Sequence, residues 1–394
     1  MQREGHYVVA VLEEAATRSG LWDWGDMEFT EALRLFVESA RRTGGLTAIG
    51  RDVLHKVVIR HLRNRLSLQA FVKAHPEVRV APVRRPVFIT GLPRTGTTVL
   101  HNLMAIDPAN RVLRFWEALR PFRPDGGAGR SEEELVAEAE LWLERLYALT
   151  PYFRAIHAST ATGPEECDAL FQNSFASQHF DDMFRADDYS SWLSGASLRG
   201  EYAHYRLQLR ALQLQSLQLR GGDGGDRQWV LKSPSHLGYL AALFECFPDA
   251  TVVFCHRDPH EAVASYASLV TSVRQPYSDE VTPEVVGDHA LRRCTVAMGR
   301  AMAARDAVGD EPFVDVGFHA LVDDPIAVVR GIYGRIGREL VPAQEARMRE
   351  WLAENPRHQH GAHDYELSQF GLSSADVDEG LRLYLDRFGA LASR

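Results

Sequence analysis

An α/β fold, layered as helix, central parallel sheet and helix with further helical segments at both ends, is what this sequence predicts. Three observations carry the expectation. After residue 227, strand-like runs alternate with helical stretches, the pattern of parallel strands joined by crossover helices. The stretch PVFITGLPRTGTT (86–98) runs from a short apolar strand into a loop with four residues between Gly91 and Gly96, the spacing of a phosphate-binding loop. Three motifs rich in anion donors then fall just after such strands, where open parallel sheets bind their ligands. The expected architecture is therefore P-loop-like.

The first eighty residues read as helical. Phe29, Leu33, Phe36, Val37 and Ala40 recur at helical spacing, with Asp26 placed to cap the start and Arg41, Arg42, Gly44 and Gly45 to stop it. A second helix is expected from Asp52 to Ala74, ending before Pro76. Residues 86–106 read strand, loop, helix. Ser131 and Glu134 form a capping box for a helix whose inner stripe is Leu135, Trp142, Leu146 and Leu149. Glu201 to Arg220 is another long helix, closed by the flexible turn GGDGGD (221–226). The α/β units follow: strand 228–232 and a helix from about Leu237 to Glu245, strand 250–257 and a helix from about Pro259 to Val270, strand 312–318 and a helix near Pro325 to Ile336. The chain is read as one domain, with a helical segment over 1–80, an α/β core over 86–340, an insert over about 120–225, and a C-terminal lid and helix over 341–394.

Composition narrows the function. Of 394 residues, 45% are hydrophobic and 25% charged, ordinary for a globular protein. A net charge of −9 argues against nucleic acid as a partner, so an anionic ligand needs a local basic site. The four cysteines form no C-x-x-C pair, and Cys246 and Cys255 sit among apolar residues, which suits a reducing cytoplasm. The first twenty residues carry acids and no signal-peptide core, and no apolar run approaches the roughly 18 residues of a membrane span. Cytoplasmic location without an integral membrane segment is expected, and a homodimer is compatible with the sequence.

The three motifs are GLPRTGTT, LKSPSH and CHRDPHEAVAS. In the first, Gly91 and Gly96 let backbone amides approach an anion, and the helix beginning near Gly96 adds free N–H groups and its positive end. Thr95, Thr97 and Thr98 add hydroxyl donors, and Arg94 a planar fork of N–H groups. A plain strand–turn–helix corner would not need so many anion donors. The lysine of GK[ST], which grips the terminal phosphates of a nucleoside triphosphate, is absent. In the third, Arg257 ends a strand and Ser265 lies eight residues on, two helical turns away. The pair could clamp a second phosphate, or be a helix-start ion pair and a packed serine.

Together these motifs resemble the sulfotransferase family that uses 3′-phosphoadenosine 5′-phosphosulfate (PAPS), in the bacterial type with LPRTGTT, LKSPSH and HRDP. The likeness spans roughly residues 86–370. It implies that the loop, Pro93, Arg94, Thr95, Gly96, Thr97 and Thr98, holds the 5′-phosphosulfate. That group has no γ phosphate and no obligatory magnesium, so the missing lysine is not needed and no metal is expected. It implies that Arg257 and Ser265 hold the 3′-phosphate, and that adenosine 3′,5′-bisphosphate is the product. The family's closing loop corresponds to PRHQHGAHDY (356–365), with Arg357 and Gly361, although the arginine–lysine–glycine run of the animal cytosolic enzymes is missing. His358, His360 and His363 then belong to an anion-facing lid rather than a zinc site.

Sulfuryl transfer needs a base for the acceptor hydroxyl and positive charge at the leaving phosphate. Glu117 is placed first as the base, because some sulfotransferases carry one at this place in the order of elements. His236 is second, since Lys232 with His236 resembles the lysine–histidine pair of the animal enzymes with residues inserted. Glu166, beside Glu165, is third. Lys232 is the candidate for the leaving group. The insert holds many aromatics, Trp142, Tyr147, Tyr152, Phe153, Phe171, Phe175, Phe180, Phe184, Tyr189 and Trp192. As a wall they suit an apolar acceptor, and each taken singly reads as core. The leading expectation is sulfuryl transfer from PAPS to a hydroxyl of a small molecule or lipid. A divergent P-loop kinase or nucleotide hydrolase and a non-catalytic nucleotide-binding scaffold are the alternatives.

Overall fold

A computed structural model describes residues 4–122, 131–149, 159–219, 227–356 and 365–393. Its centre is a five-stranded sheet: β1 (Val87–Gly91), β2 (Asn110–Arg111), β3 (Gln228–Lys232), β4 (Thr251–His256) and β5 (Phe313–Gly317). The order is β2-β3-β1-β4-β5 and every pairing is parallel, so the phosphate-loop strand lies in the middle, as its motif order implies. Parallel strands covered on both faces carry near-continuous apolar runs, and β1 is buried at every residue. The strand period of two divides that run between two cores. Val87 and Ile89 join Leu100, Leu103, Val253 and Ile332 on one face. Phe88 joins Leu231, Val252, Phe254, the N-terminal helices and the insert on the other.

A helix Glu4–Ser19 is followed by the two expected N-terminal helices, Phe29–Thr43 and Ala48–Ala74. Two of their starts differ from expectation for a long-range reason and a local one. Asp26 does not cap the first; its carboxylate lies 3.0 Å from the buried Arg65 guanidinium. The second begins at Ala48 because Thr47 accepts the Gly50 amide at 2.9 Å. The Ser131–Glu134 capping box is present, the Glu134 amide donating to Ser131 Oγ at 3.3 Å and the Ser131 amide to Glu134 Oε2 at 2.8 Å. Behind it the buried stripe of Glu132–Leu149 is Leu135, Ala139 and Leu143, one position from the expected Trp142. After β3 a 3-10 turn, Pro234–Tyr239, precedes the helix Leu240–Cys246, so that helix starts later than expected. The helix Pro283–Val308, capped by Thr282, has no counterpart among the expected elements.

The aromatic wall resolves mainly into packing. Phe171, Phe175, Phe180, Phe184 and Tyr189 are buried, with Phe180 stacked on Phe36 at 4.4 Å and Phe171 on Tyr205 at 4.7 Å. Tyr152 and Phe153 lie outside the described residues. All four cysteines are free and buried. Among the described residues, no helix is long and apolar enough to cross a membrane.

Candidate active site

The carboxyl ends of β1, β3 and β4 bring the three motifs together, because their registers set Ile89 beside Lys232 and Gly91 beside Cys255. Gly91 is required by close approach: a Cβ there would stand 2.4 Å from the Cys255 carbonyl oxygen. The loop reverses through Arg94 (φ 71°) and Gly96 (φ 86°), both left-handed, and Gly96 caps the helix Thr97–Ala105. A non-glycine residue held at positive φ is characteristic of a functional turn. Thr95 tightens the loop by donating to the Leu92 carbonyl at 2.8 Å, while Thr98 stands exposed at its mouth. The helix's first amides have no intrahelical partner.

Arg94 turns toward β4. Its Nε donates to Ser265 Oγ at 3.3 Å, and Arg257 Nη1 donates to the Arg94 carbonyl at 2.8 Å. Arg257 is held by Glu261 Oε2 at 2.7 Å and lies 4.2 Å from the centre of the Phe318 ring. The expected Arg257–Ser265 pair is thus close to Arg94. Burial pushes the Arg94 guanidinium below its usual range; Arg257 adds to this, and Tyr365 and Glu166 oppose it. Like charges crowded in this way favour an anion between them.

On the other side of β1, Lys232 is buried to 2% exposure of its side chain. Its Nζ donates to Thr98 Oγ1 at 3.3 Å and forms an ion pair with Glu166 Oε1. Three residues from different segments, Thr98, Lys232 and Glu166, therefore meet at the mouth of the phosphate loop. Glu165 lies behind Glu166 and accepts the Glu166 amide at 2.7 Å. Burial raises the Glu165 carboxyl to about 7, and the neighbouring Glu166 and Asp168 add to it while Lys232 opposes.

His236 and Glu117 sit elsewhere. His236 is fully buried against Phe88 and Phe171, with Nδ1 2.7 Å from the Tyr202 hydroxyl. Burial lowers its imidazole to about 3, so it is neutral at neutral pH and a weak base. Glu117 is clamped by Arg111, whose Nη1 donates to Oε2 at 2.8 Å and Nη2 to Oε1 at 2.5 Å, and it also accepts the Arg114 amide at 3.0 Å. Both partners are about nine-tenths buried, at 6% and 7% exposure. Removing one member of a buried ion pair strands the other. Glu117→Gln is therefore expected to cost roughly 3–5 kcal/mol of stability. A thermal melt should show the loss, with turnover per folded molecule within a few fold of wild type.

Arg357, Gly361, His358, His360 and His363 lie outside the described residues. Among those described, no group of three or more His, Cys, Asp or Glu side chains is arranged to hold a metal. Two residues near the site were not anticipated from sequence. Tyr365 acts electrostatically on Arg94, and Asp168 accepts hydroxyls from the turn after Lys232. The second had a faint signal, a third acid two residues after the Glu165–Glu166 pair.

Residues 86–342 match the profile described as the sulfotransferase family. The crystal structure of sulfotransferase STF9 from Mycobacterium avium superposes with a TM-score of 0.81 at 30% identity, covering 98% of this chain and 97% of that one. The crystal structure of sulfotransferase STF1 from Mycobacterium tuberculosis gives 0.80 at 29% identity, covering 94% and 97%. A curated relative from Mycobacterium bovis, omega-hydroxy-beta-dihydromenaquinone-9 sulfotransferase Stf3, is 23% identical over 316 residues, 77% of this chain and 75% of that protein. The profile spans well over half of the chain and includes the phosphate loop, the Lys232 strand and the Arg257 strand, and on that ground the chain belongs to the sulfotransferase family.

Proposed function

We propose that this sulfotransferase takes its sulfuryl group from PAPS, passes it to a hydroxyl oxygen of a small-molecule or lipid acceptor, and releases adenosine 3′,5′-bisphosphate, with no metal. The observation that carries this reading is the meeting of Thr98, Lys232 and Glu166 beside Arg94, whose carbonyl is held by the Arg257 side chain. The curated relative's name, which specifies the ω-hydroxyl of a menaquinone derivative, supports the lipid side of the acceptor class.

In this reading the loop from Pro93 to Thr98 holds the 5′-phosphosulfate, and Arg257 with Ser265 holds the 3′-phosphate. A bound phosphate there offsets the mutual repulsion of Arg94 and Arg257. Arg357 and Gly361, which lie outside the described residues, are assigned to nucleotide binding in the same reading. PAPS supplies a sulfuryl group already activated by its phosphate leaving group. Glu166 takes the acceptor's hydroxyl proton as that oxygen bonds to sulfur and the bond from sulfur to the phosphate oxygen breaks. Lys232 donates to the phosphate oxygen on which negative charge develops. Glu166 is preferred over Glu117 because Glu117 has both oxygens engaged in a buried pair, and over His236 because a group titrating near 3 is a poor proton acceptor at neutral pH.

Calorimetric titration with adenosine 3′,5′-bisphosphate, beside ATP with magnesium, tests the donor class. The bisphosphate should bind and magnesium-ATP should not; the opposite preference would replace the reading with a kinase. Arg257→Ala should weaken the bisphosphate by about 30-fold more than it weakens AMP, as for one lost charged hydrogen-bond pair to the 3′-phosphate. Equal loss for both nucleotides would remove Arg257 from the 3′ side.

A further inference from the structure

We propose that Asp168 is a positioning residue, one that holds Glu166 in register with Lys232 through a set of serine hydroxyls. The proposal rests on the reading of Glu166 and Lys232 as the reacting pair. Asp168 is 8% exposed and forms no ion pair among the described residues. Its Oδ2 accepts Ser233 Oγ at 2.6 Å and Ser235 Oγ at 2.5 Å, and its Oδ1 accepts Ser177 Oγ at 2.9 Å. Alongside, the Cys167 amide donates to the Lys232 carbonyl at 2.9 Å. The segment that carries Glu166 is thereby tied at two successive residues to the segment that carries Lys232.

The tie is anchored to the sheet. The Ser233 amide donates to the Ile89 carbonyl at 3.2 Å, and Thr90 Oγ1 donates to the Ser233 carbonyl at 2.9 Å. Position therefore passes from β1, the most buried strand, through Ser233 to Asp168 and on to Glu166. The chemistry of the donors matters. An ionised carboxylate only accepts, so all three serine hydroxyls must point at it, which fixes their directions. Neutral hydroxyls also satisfy Asp168 without a cation of its own among the described residues. The motif LKSPSH thus has a role for both of its serines that anion binding does not require.

Asp168→Asn keeps the shape and replaces one acceptor oxygen by an amide that donates. Turnover of PAPS with 4-nitrophenol as acceptor should fall about tenfold or more. Affinity for adenosine 3′,5′-bisphosphate should stay within about threefold and the melting temperature within a few degrees. The pairing is read without any acceptor by carboxyl ¹³C titration of Glu166, assigned by the signal missing in Glu166→Gln. In Asp168→Asn its midpoint should move upward, as it separates from Lys232. If Asp168 acts only through the pair, the double variant Glu166→Gln with Asp168→Asn should be no slower than Glu166→Gln alone. Ser235→Ala, at a half-buried position, is the milder variant should Asp168→Asn not fold, and should slow turnover about threefold. Unchanged turnover and an unmoved Glu166 midpoint in these variants would overturn the proposal, as would a loss that follows melting temperature and nucleotide affinity together. Full turnover in Glu166→Gln would instead remove the reacting pair itself, whatever Asp168 does.

Discussion

Glu166→Gln is expected to lower turnover by about a hundredfold or more, the usual range for a lost general base, while adenosine 3′,5′-bisphosphate binds nearly as before. Glutamine keeps the shape and can still accept from Lys232, but it cannot take the acceptor's proton. The hydrogen bonds of Arg94 with Ser265 and of Arg257 with the Arg94 carbonyl lie on the β4 side of the loop and do not involve Glu166. The check is single-turnover conversion of PAPS with 4-nitrophenol, beside calorimetry with the bisphosphate. Glu117→Gln provides the contrast in turnover: each variant strands a buried cation, Arg111 or Lys232, and should lose stability, but only Glu117→Gln should keep turnover per folded molecule. The reverse pattern, a turnover loss confined to Glu117→Gln at unchanged melting temperature, would return the base to Glu117. Both variants remove one carboxylate charge, so the comparison isolates where that charge stands.

The two glutamates also mark how far the sequence could be read. Elements whose signals are local were legible. β3 falls on residues 228–232 as expected, because a buried parallel strand is a short apolar run between polar stops. The Ser131–Glu134 box depends on residues three apart and is visible in the string. The phosphate loop was legible for the same reason, and the place of β1 at the sheet's centre followed from the motifs on either side. What sequence order could not supply was partnership across the fold. Glu117 comes at the position where a base was expected, yet Arg111 claims both of its oxygens. Glu166 ranked third among the candidate bases, because nothing in the string shows that folding sets it against a lysine 66 residues away. Asp26 looked like a cap and serves Arg65. The aromatic insert suggested a cleft, but Phe180 had its partner in Phe36, far back in the chain.

Acidification from pH 7 toward 5 should destabilise this fold steeply, before most carboxylates titrate, because several histidines are folded in the neutral form. Burial lowers His101, His204 and His236 to about 3 each, and lowers His61 well below the usual value. In the unfolded chain the same imidazoles titrate near 6.5. Between these values the unfolded state binds more protons, so stability rises with pH and is lost as pH falls below about 6.5. Each such histidine contributes a slope of up to about 1.4 kcal/mol per pH unit. Glu165 acts in the opposite sense. Its folded value near 7 exceeds the unfolded one, so between about 4.5 and 7 it favours the folded state as pH falls and cancels roughly one histidine. Four histidines less one glutamate leave a net slope of about 4 kcal/mol per unit near pH 5, and a domain of ordinary stability of about 5–15 kcal/mol would lose its fold within a few units. Thermal melts from pH 8 to 4.5 read this directly, and a flat melting temperature between pH 7 and 5 would sink it. His204 gives the cleanest single test, since it stands on the helix Arg199–Leu219 and its buried Nε2 has no hydrogen-bond partner among the described residues. His204→Leu should remove about one proton from the slope at pH 5 while sulfuryl transfer at neutral pH stays as it was, which separates the acid sensitivity of the fold from the titration of the reacting pair.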